Sequence, residues 1–66
     1  MEAKYLVAIE ASEYLRISLS YLRKLTAMGE IPCARVGRRI VYKRDTLDRW
    51  MDSLEVEPRP SHIEGE

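Results

Sequence analysis

Small or apolar side chains at Ala8, Ala11, Ser12 and Leu15 follow the i, i+3, i+4, i+7 spacing of one helix face, which predicts a short first helix with a narrow contact surface. Arg16 and Ile17 break the pattern. Ser18 then stands where a hydroxyl can accept a hydrogen bond from an open amide at the start of a second helix, and Ile17 is placed to fold back on that helix as a staple. The second helix is predicted from about Leu19 to Met28, with Leu22 and Leu25 inward and Thr26 at the edge. Gly29 ends it, because glycine takes the left-handed conformation at a helix terminus at little cost.

Pro32 prevents a return to helix, and the residues after it alternate. Ala34 and Val36 before Gly37, and Ile40 and Tyr42 after it, share a face if Gly37, Arg38 and Arg39 form a three-residue loop. Arg35 then faces outward with Val41. A two-residue loop at Gly37-Arg38 shifts the pairing by one and is the alternative. A third helix is predicted from roughly Arg44 to Leu54, with Leu47, Trp50, Met51 and Leu54 on one stripe that closes the core. The pattern as a whole predicts an α+β fold, mostly α: a helix-turn-helix with a two-stranded hairpin wing and a C-terminal packing helix, over residues 1–54. Residues 55–66, with two prolines and many charges, are expected to form a flexible tail.

Length bounds the possibilities. A 66-residue chain is one domain at most, and a chain of this size buries only about 60% of the surface it exposes when unfolded. One cysteine, Cys33, and one distant histidine, His62, provide neither a disulfide framework nor a zinc site. Apolar runs are only a few residues long, and the N-terminus lacks the basic and apolar segments of a secretory signal. No membrane partner is therefore expected, and the cytoplasm is the expected compartment.

Charge changes the picture further. Eleven cations balance eleven anions, yet the balance is segregated. Residues 1–15 carry a net −2 and residues 16–44 carry Arg16, Arg23, Lys24, Arg35, Arg38, Arg39, Lys43 and Arg44 against Glu30 alone, a net +7. The remainder carries −5. A basic middle between acidic ends points to a face that binds a polyanion. The chain shows no paired base and nucleophile and no phosphate-cradling glycine loop, so catalysis and a bound cofactor are not expected.

The order of these elements, together with "GEIPCARVGRR" and an amphipathic helix carrying Trp50, resembles the small winged-helix DNA-binding domains of the excisionase family over about Leu6 to Met51. In that family the second helix enters the major groove and the wing lies on the backbone or minor groove. Members include excisionases of phages and mobile elements, which direct a tyrosine integrase toward excision, and small transcription regulators. Val7, Arg16 and Lys43 depart from the family pattern, standing where a capping Thr or Ser, a turn Gly and a helix-starting Pro are common. Ile9 is a further departure, at a position more often acidic.

With Leu22 inward, Ser20, Arg23, Lys24 and Ala27 point outward, flanked by Leu19 and Tyr21. Ser18, Leu19, Ser20, Tyr21, Arg23 and Lys24 are the expected recognition-helix residues. Arg23 suits the O6 and N7 acceptors of guanine, and Lys24 with the hydroxyls of Ser20 and Tyr21 suits phosphates or polar base edges. Arg35, Arg38 and Arg39 are the expected wing contacts, since adjacent exposed arginines repel each other and favour a narrow minor groove or phosphates. Arg16, Lys43 and Arg44 are further backbone candidates. Double-stranded DNA is the expected partner, with an integrase and further head-to-tail copies of the chain on DNA as the finer expectation. The alternatives are a small transcriptional regulator of the same fold and a protein-interaction module.

Overall fold

The described residues, 3–56 of a computed structural model, run β1 (Tyr5–Leu6), α1 (Ala8–Leu15), α2 (Leu19–Ala27), β2 (Ala34–Val36), β3 (Arg39–Lys43) and α3 (Arg44–Leu54). Of the expected tail, residues 55–66, those from 57 onward lie outside them. Leu6, Ala11, Leu22, Leu25, Ile31, Tyr42 and Leu47 form one buried cluster, so every element except β2 places at least one side chain in it. Ala8, Leu15, Ile17, Leu19, Ile40 and Trp50 pack around its edge. Ala11 is fully buried, which accounts for the small-residue face of α1: a larger side chain there would separate α1 from its neighbours.

Both helices of the helix-turn-helix end in the same way. In α2 the Glu30 amide donates to the Leu25 carbonyl and the Gly29 amide to the Thr26 carbonyl, with Gly29 at φ +72°. In α1 the Ile17 amide donates to the Ser12 carbonyl and the Arg16 amide to the Glu13 carbonyl, with Arg16 at φ +63°. These are paired Schellman turns, one built on glycine and the other on arginine. A residue with a β-carbon costs about 1–2 kcal/mol in this conformation, so Arg16 occupies a position that favours glycine. At the start of α2 the Ser18 hydroxyl accepts the Tyr21 amide at 3.1 Å, as the sequence predicts. Val7, which has no side-chain acceptor, begins α1. There the Glu10 carboxylate accepts the Val7 amide at 3.0 Å and supplies half of a capping box.

The sheet corrects the hairpin expectation twice. It has three antiparallel strands, in the order β1-β3-β2, because Tyr5 and Leu6 pair with Lys43 and Tyr42. In the wing, Ala34 pairs with Val41, Arg35 with Ile40 and Val36 with Arg39, so the loop is the two-residue Gly37-Arg38 and not the three-residue loop favoured by the alternation. Gly37 lies at φ +64° while Arg38 has negative φ, the dihedral pattern of a type II′ turn, whose twist matches that of the paired strands. The one-residue shift reverses which side of β2 faces inward. Val36 is 62% exposed, Ala34 shares the outer face with Val41, and Arg35 lies on the side of Ile40 and Tyr42. Tyr42 fixes the inner face of β3. It is fully buried, and its hydroxyl donates at 2.6 Å to Thr26 Oγ1, which itself donates to the Leu22 carbonyl at 2.9 Å. The bond ties the wing strand to α2.

In α3 only Leu47 reaches the core; Trp50 packs at its edge. Met51 and Leu54, expected as core, are exposed, because the stripe continues beyond the elements that would cover it. The Trp50 indole donates to the Glu30 carbonyl at 3.0 Å, and the Tyr14 hydroxyl donates to Asp48 Oδ1 at 2.6 Å. These two bonds hold α3 against the end of α2 and against α1.

Candidate nucleic-acid interface

The surface left over by α2 is defined by what the helix buries. Leu22, Leu25 and Thr26 turn inward, and Leu19 packs against the core edge. Ser20, Tyr21, Arg23, Lys24 and Ala27 are exposed. Of the six predicted recognition residues, Ser20, Tyr21, Arg23 and Lys24 therefore present free surface. Leu19 belongs mainly to packing, and the Ser18 oxygen serves the helix cap.

The wing separates its arginines. Arg38 sits in the turn. Arg39 pairs with Val36 on the face turned away from the core, while Arg35 lies across from Ile40 on the opposite face. All three are exposed, and none of them, nor Arg23 or Lys24, is held by a carboxylate among the described residues. Arg16 projects from the turn that leads into α2. Lys43 closes β3 as the residue before α3, and the backbone amide of Arg44 donates to the Lys4 carbonyl at 3.0 Å.

Anions collect elsewhere. Glu10 and Glu13 lie on α1, and Asp45, Asp48 and Asp52 on α3. Asp48 is engaged by Tyr14, and that hydrogen bond is the first cause that holds the Tyr14 phenol above the ordinary tyrosine pKa. Loss of solvation and the charges of Asp48 and Asp45 act in the same direction. The sequence pattern missed one surface feature of this region, an open apolar groove between α2 and the C-terminal half of α3. The excess of the α3 stripe over its core was the available signal. No helix among the described residues is long and apolar enough to cross a membrane.

No curated protein and no solved structure matches the chain. A family model described as a helix-turn-helix domain matches residues 5–54, from the first strand to the last helical residue. Its span coincides with the three helices and three strands above, and the fold is that of a winged helix-turn-helix. The chain therefore belongs to the helix-turn-helix domain family, whose members bind double-stranded DNA in a sequence-specific manner.

Proposed function

We propose that α2 reads the DNA major groove through Ser20, Tyr21, Arg23 and Lys24, and that the chain acts as an excisionase. The observation that carries the reading is α2 itself. It is capped by Ser18, anchored by Leu22, Leu25 and Thr26, and left with a polar, cationic outer face in a chain of the helix-turn-helix family. Arg23 offers a fork to guanine, and Lys24 with the hydroxyls of Ser20 and Tyr21 meets phosphates or polar base edges. Arg38 and Arg39 follow the minor groove or its phosphates, with Arg35, Arg16, Lys43 and Arg44 as backbone contacts. The strained backbone of Arg16 supports its place in that set: a cation is kept in the turn before α2 where glycine would relieve the strain.

The excisionase role draws on the resemblance in the wing sequence and on a family that includes excisionase-like DNA-binding domains. In this role the chain binds attachment-site DNA, bends it and directs a tyrosine integrase toward excision. Copies add head to tail along adjacent sites, with the basic flank of one against Asp52 and Glu55 of the next. The test is a footprint on attachment-site DNA with and without integrase, combined with an excision assay. Protection accompanied by increased excision supports the role. Promoter protection with no effect on recombination assigns the chain to transcriptional control instead, and failure to retain it on duplex DNA at low salt rejects DNA binding altogether.

A further inference from the structure

Among the described residues two polar side chains are buried, Ser12 and Thr26, and they are used differently. The Ser12 hydroxyl donates to the Ile9 carbonyl inside its own helix. Thr26 Oγ1 donates to the Leu22 carbonyl and also accepts the hydroxyl of the buried Tyr42 from across the core. That second bond leaves α2 and ends on β3.

The rest of the buried cluster, Leu6, Ala11, Leu22, Leu25, Ile31 and Leu47, is aliphatic. Aliphatic contacts are non-directional and constrain the angle between two elements less than a hydrogen bond does, because a hydrogen bond weakens steeply as it departs from linear. A Phe and Val pair of the same shape would fill this space without burying two hydroxyls, and such an exchange is nearly neutral in stability. The hydroxyl pair therefore adds orientation at little gain in stability.

Its place in the fold is between the two surfaces proposed above to meet DNA. Thr26 follows Arg23 by three residues on α2, and Tyr42 follows Arg39 by three residues on β3. Tyr42 stands four residues from Arg38 in the wing turn, a lever of about 14 Å at ~3.4 Å per strand residue, so a tilt of about 10° at Tyr42 moves the tip by roughly 2 Å. A displacement of that size breaks a hydrogen bond.

We infer that Tyr42 is a positioning residue for DNA recognition: itself buried, it acts through its bond to Thr26 and holds the wing at the angle at which Arg38 and Arg39 reach the duplex read by α2. The inference rests on the reading that α2 and the wing meet one duplex.

The test uses the full 66-residue chain, a duplex selected by the wild type from a random-sequence pool, and the unselected pool. Tyr42→Phe leaves Thr26 donating to the Leu22 carbonyl, so no donor is stranded, and Tyr42→Phe with Thr26→Val removes both hydroxyls together. Both variants are expected to keep the helical circular dichroism and a urea midpoint near that of the wild type. On the selected duplex they are expected to bind about threefold to tenfold more weakly, with binding to the pool unchanged. Thr26→Ser retains the acceptor oxygen and is expected to bind as the wild type does. Wild-type affinity for the selected duplex in both hydroxyl-free variants, or equal weakening on the selected duplex and the pool, overturns the inference. Unfolding of both variants would make the bond a support of the fold and overturns it as well.

The wing arginines separate the role of Tyr42 from the reading beneath it. Arg38→Ala with Arg39→Ala is expected to weaken the wild type on the selected duplex and to weaken Tyr42→Phe less, because there the wing is no longer seated. An equal loss in both backgrounds overturns the role of Tyr42 and leaves the reading of α2 and the wing in place. No loss in either background removes the wing from the interface and overturns both.

Discussion

α2 and α3 are both amphipathic, yet they are held in different ways. The nine-residue α2 has a side-chain cap at its start, a glycine-based Schellman turn at its end and three buried residues between. The longer α3, of eleven residues, has no side-chain cap and one buried residue, with Trp50 packed at the core edge and single hydrogen bonds from Trp50, Tyr14 and the Arg44 amide adding to its attachment. The difference shows that a hydrophobic stripe specifies which face turns inward but not how far the neighbouring elements extend to cover it. In α2 the apolar face is mostly consumed by the core and the outer face is cationic. In α3 the stripe outlasts the core, and the outer face is acidic.

The largest expected contrast between the two helices is in stability. Leu22 is fully buried, so Leu22→Ala is expected to cost about 2–5 kcal/mol in urea unfolding, a large part of what a domain this short possesses. Leu54→Ala, on an equally apolar position of α3, is expected to cost less than about 1 kcal/mol, because little surface is removed from water there. Comparable costs for the two variants would mean that α3 is anchored along its whole length and would end the comparison. A smaller contrast is expected in DNA binding. Arg23→Ala on α2 is expected to lose roughly 1–3 kcal/mol on the preferred duplex and to flatten base preference, whereas Arg49→Ala on α3 changes neither. Equal weakening of Arg23→Ala on preferred and random duplexes, measured by fluorescence anisotropy, would reduce Arg23 to a phosphate contact.

How well each helix could be anticipated from sequence follows from the same difference. The cap at Ser18, the stop at Gly29 and the inward Leu22 and Leu25 were legible because each depends on neighbours within one or two turns. The small face of α1 at Ala11 and Ser12 was legible for the same reason. The wing register was not. Alternation at Ala34, Val36, Ile40 and Tyr42 fits a three-residue loop as well as it does because β2 contributes nothing large to the core, so burial does not constrain that strand. Turn geometry decides the register, because Tyr42 faces inward in either one. The two-residue strand at Tyr5 and Leu6 carries too little pattern to be recognised without its partner, and Ile31 is buried from a connecting segment with no period. Of the candidate site, the outward residues of α2 and the wing arginines were placed on exposed surface as expected. That Arg35 and Arg39 lie on opposite wing faces depended on the register and stayed hidden.

The capping difference can be reduced in either direction. Ser18→Ala removes the hydroxyl that accepts the Tyr21 amide and is expected to cost about 1 kcal/mol. Lys43, the residue before α3, has extended backbone dihedrals compatible with a cap but no side-chain acceptor, so Lys43→Ser is expected to stabilise the fold by about 0.5–1 kcal/mol. Thermal unfolding of both variants measures the pair. A neutral Ser18→Ala, or a destabilising Lys43→Ser, would show that capping is not what distinguishes the two helices.

The smallest expected effect concerns the bond that holds α3 to α1. The Tyr14 hydroxyl donates to Asp48 only while protonated, and ionisation would place a phenolate against that carboxylate with Asp45 nearby. The folded-state pKa is therefore raised above the ordinary value of 10.0. A group whose pKa is raised by folding contributes stability in full below its unfolded pKa and loses it as pH rises through the folded value. The bond is thus expected to contribute a constant amount at neutral pH and to disappear only above pH 10.0. Because the pair is exposed to solvent, Tyr14→Phe is expected to shift the urea midpoint only slightly at pH 7. The informative quantity is the difference between wild type and Tyr14→Phe as a function of pH, since every other residue is common to both. That difference is expected to stay flat to pH 10.0 and then to shrink as the wild-type bond is lost. A difference that stays constant into strong alkali would show that the Tyr14 hydroxyl acts on stability by some route other than the proton it donates to Asp48. Leu47, Trp50 and the Arg44 amide bond to the Lys4 carbonyl would then be what attaches α3.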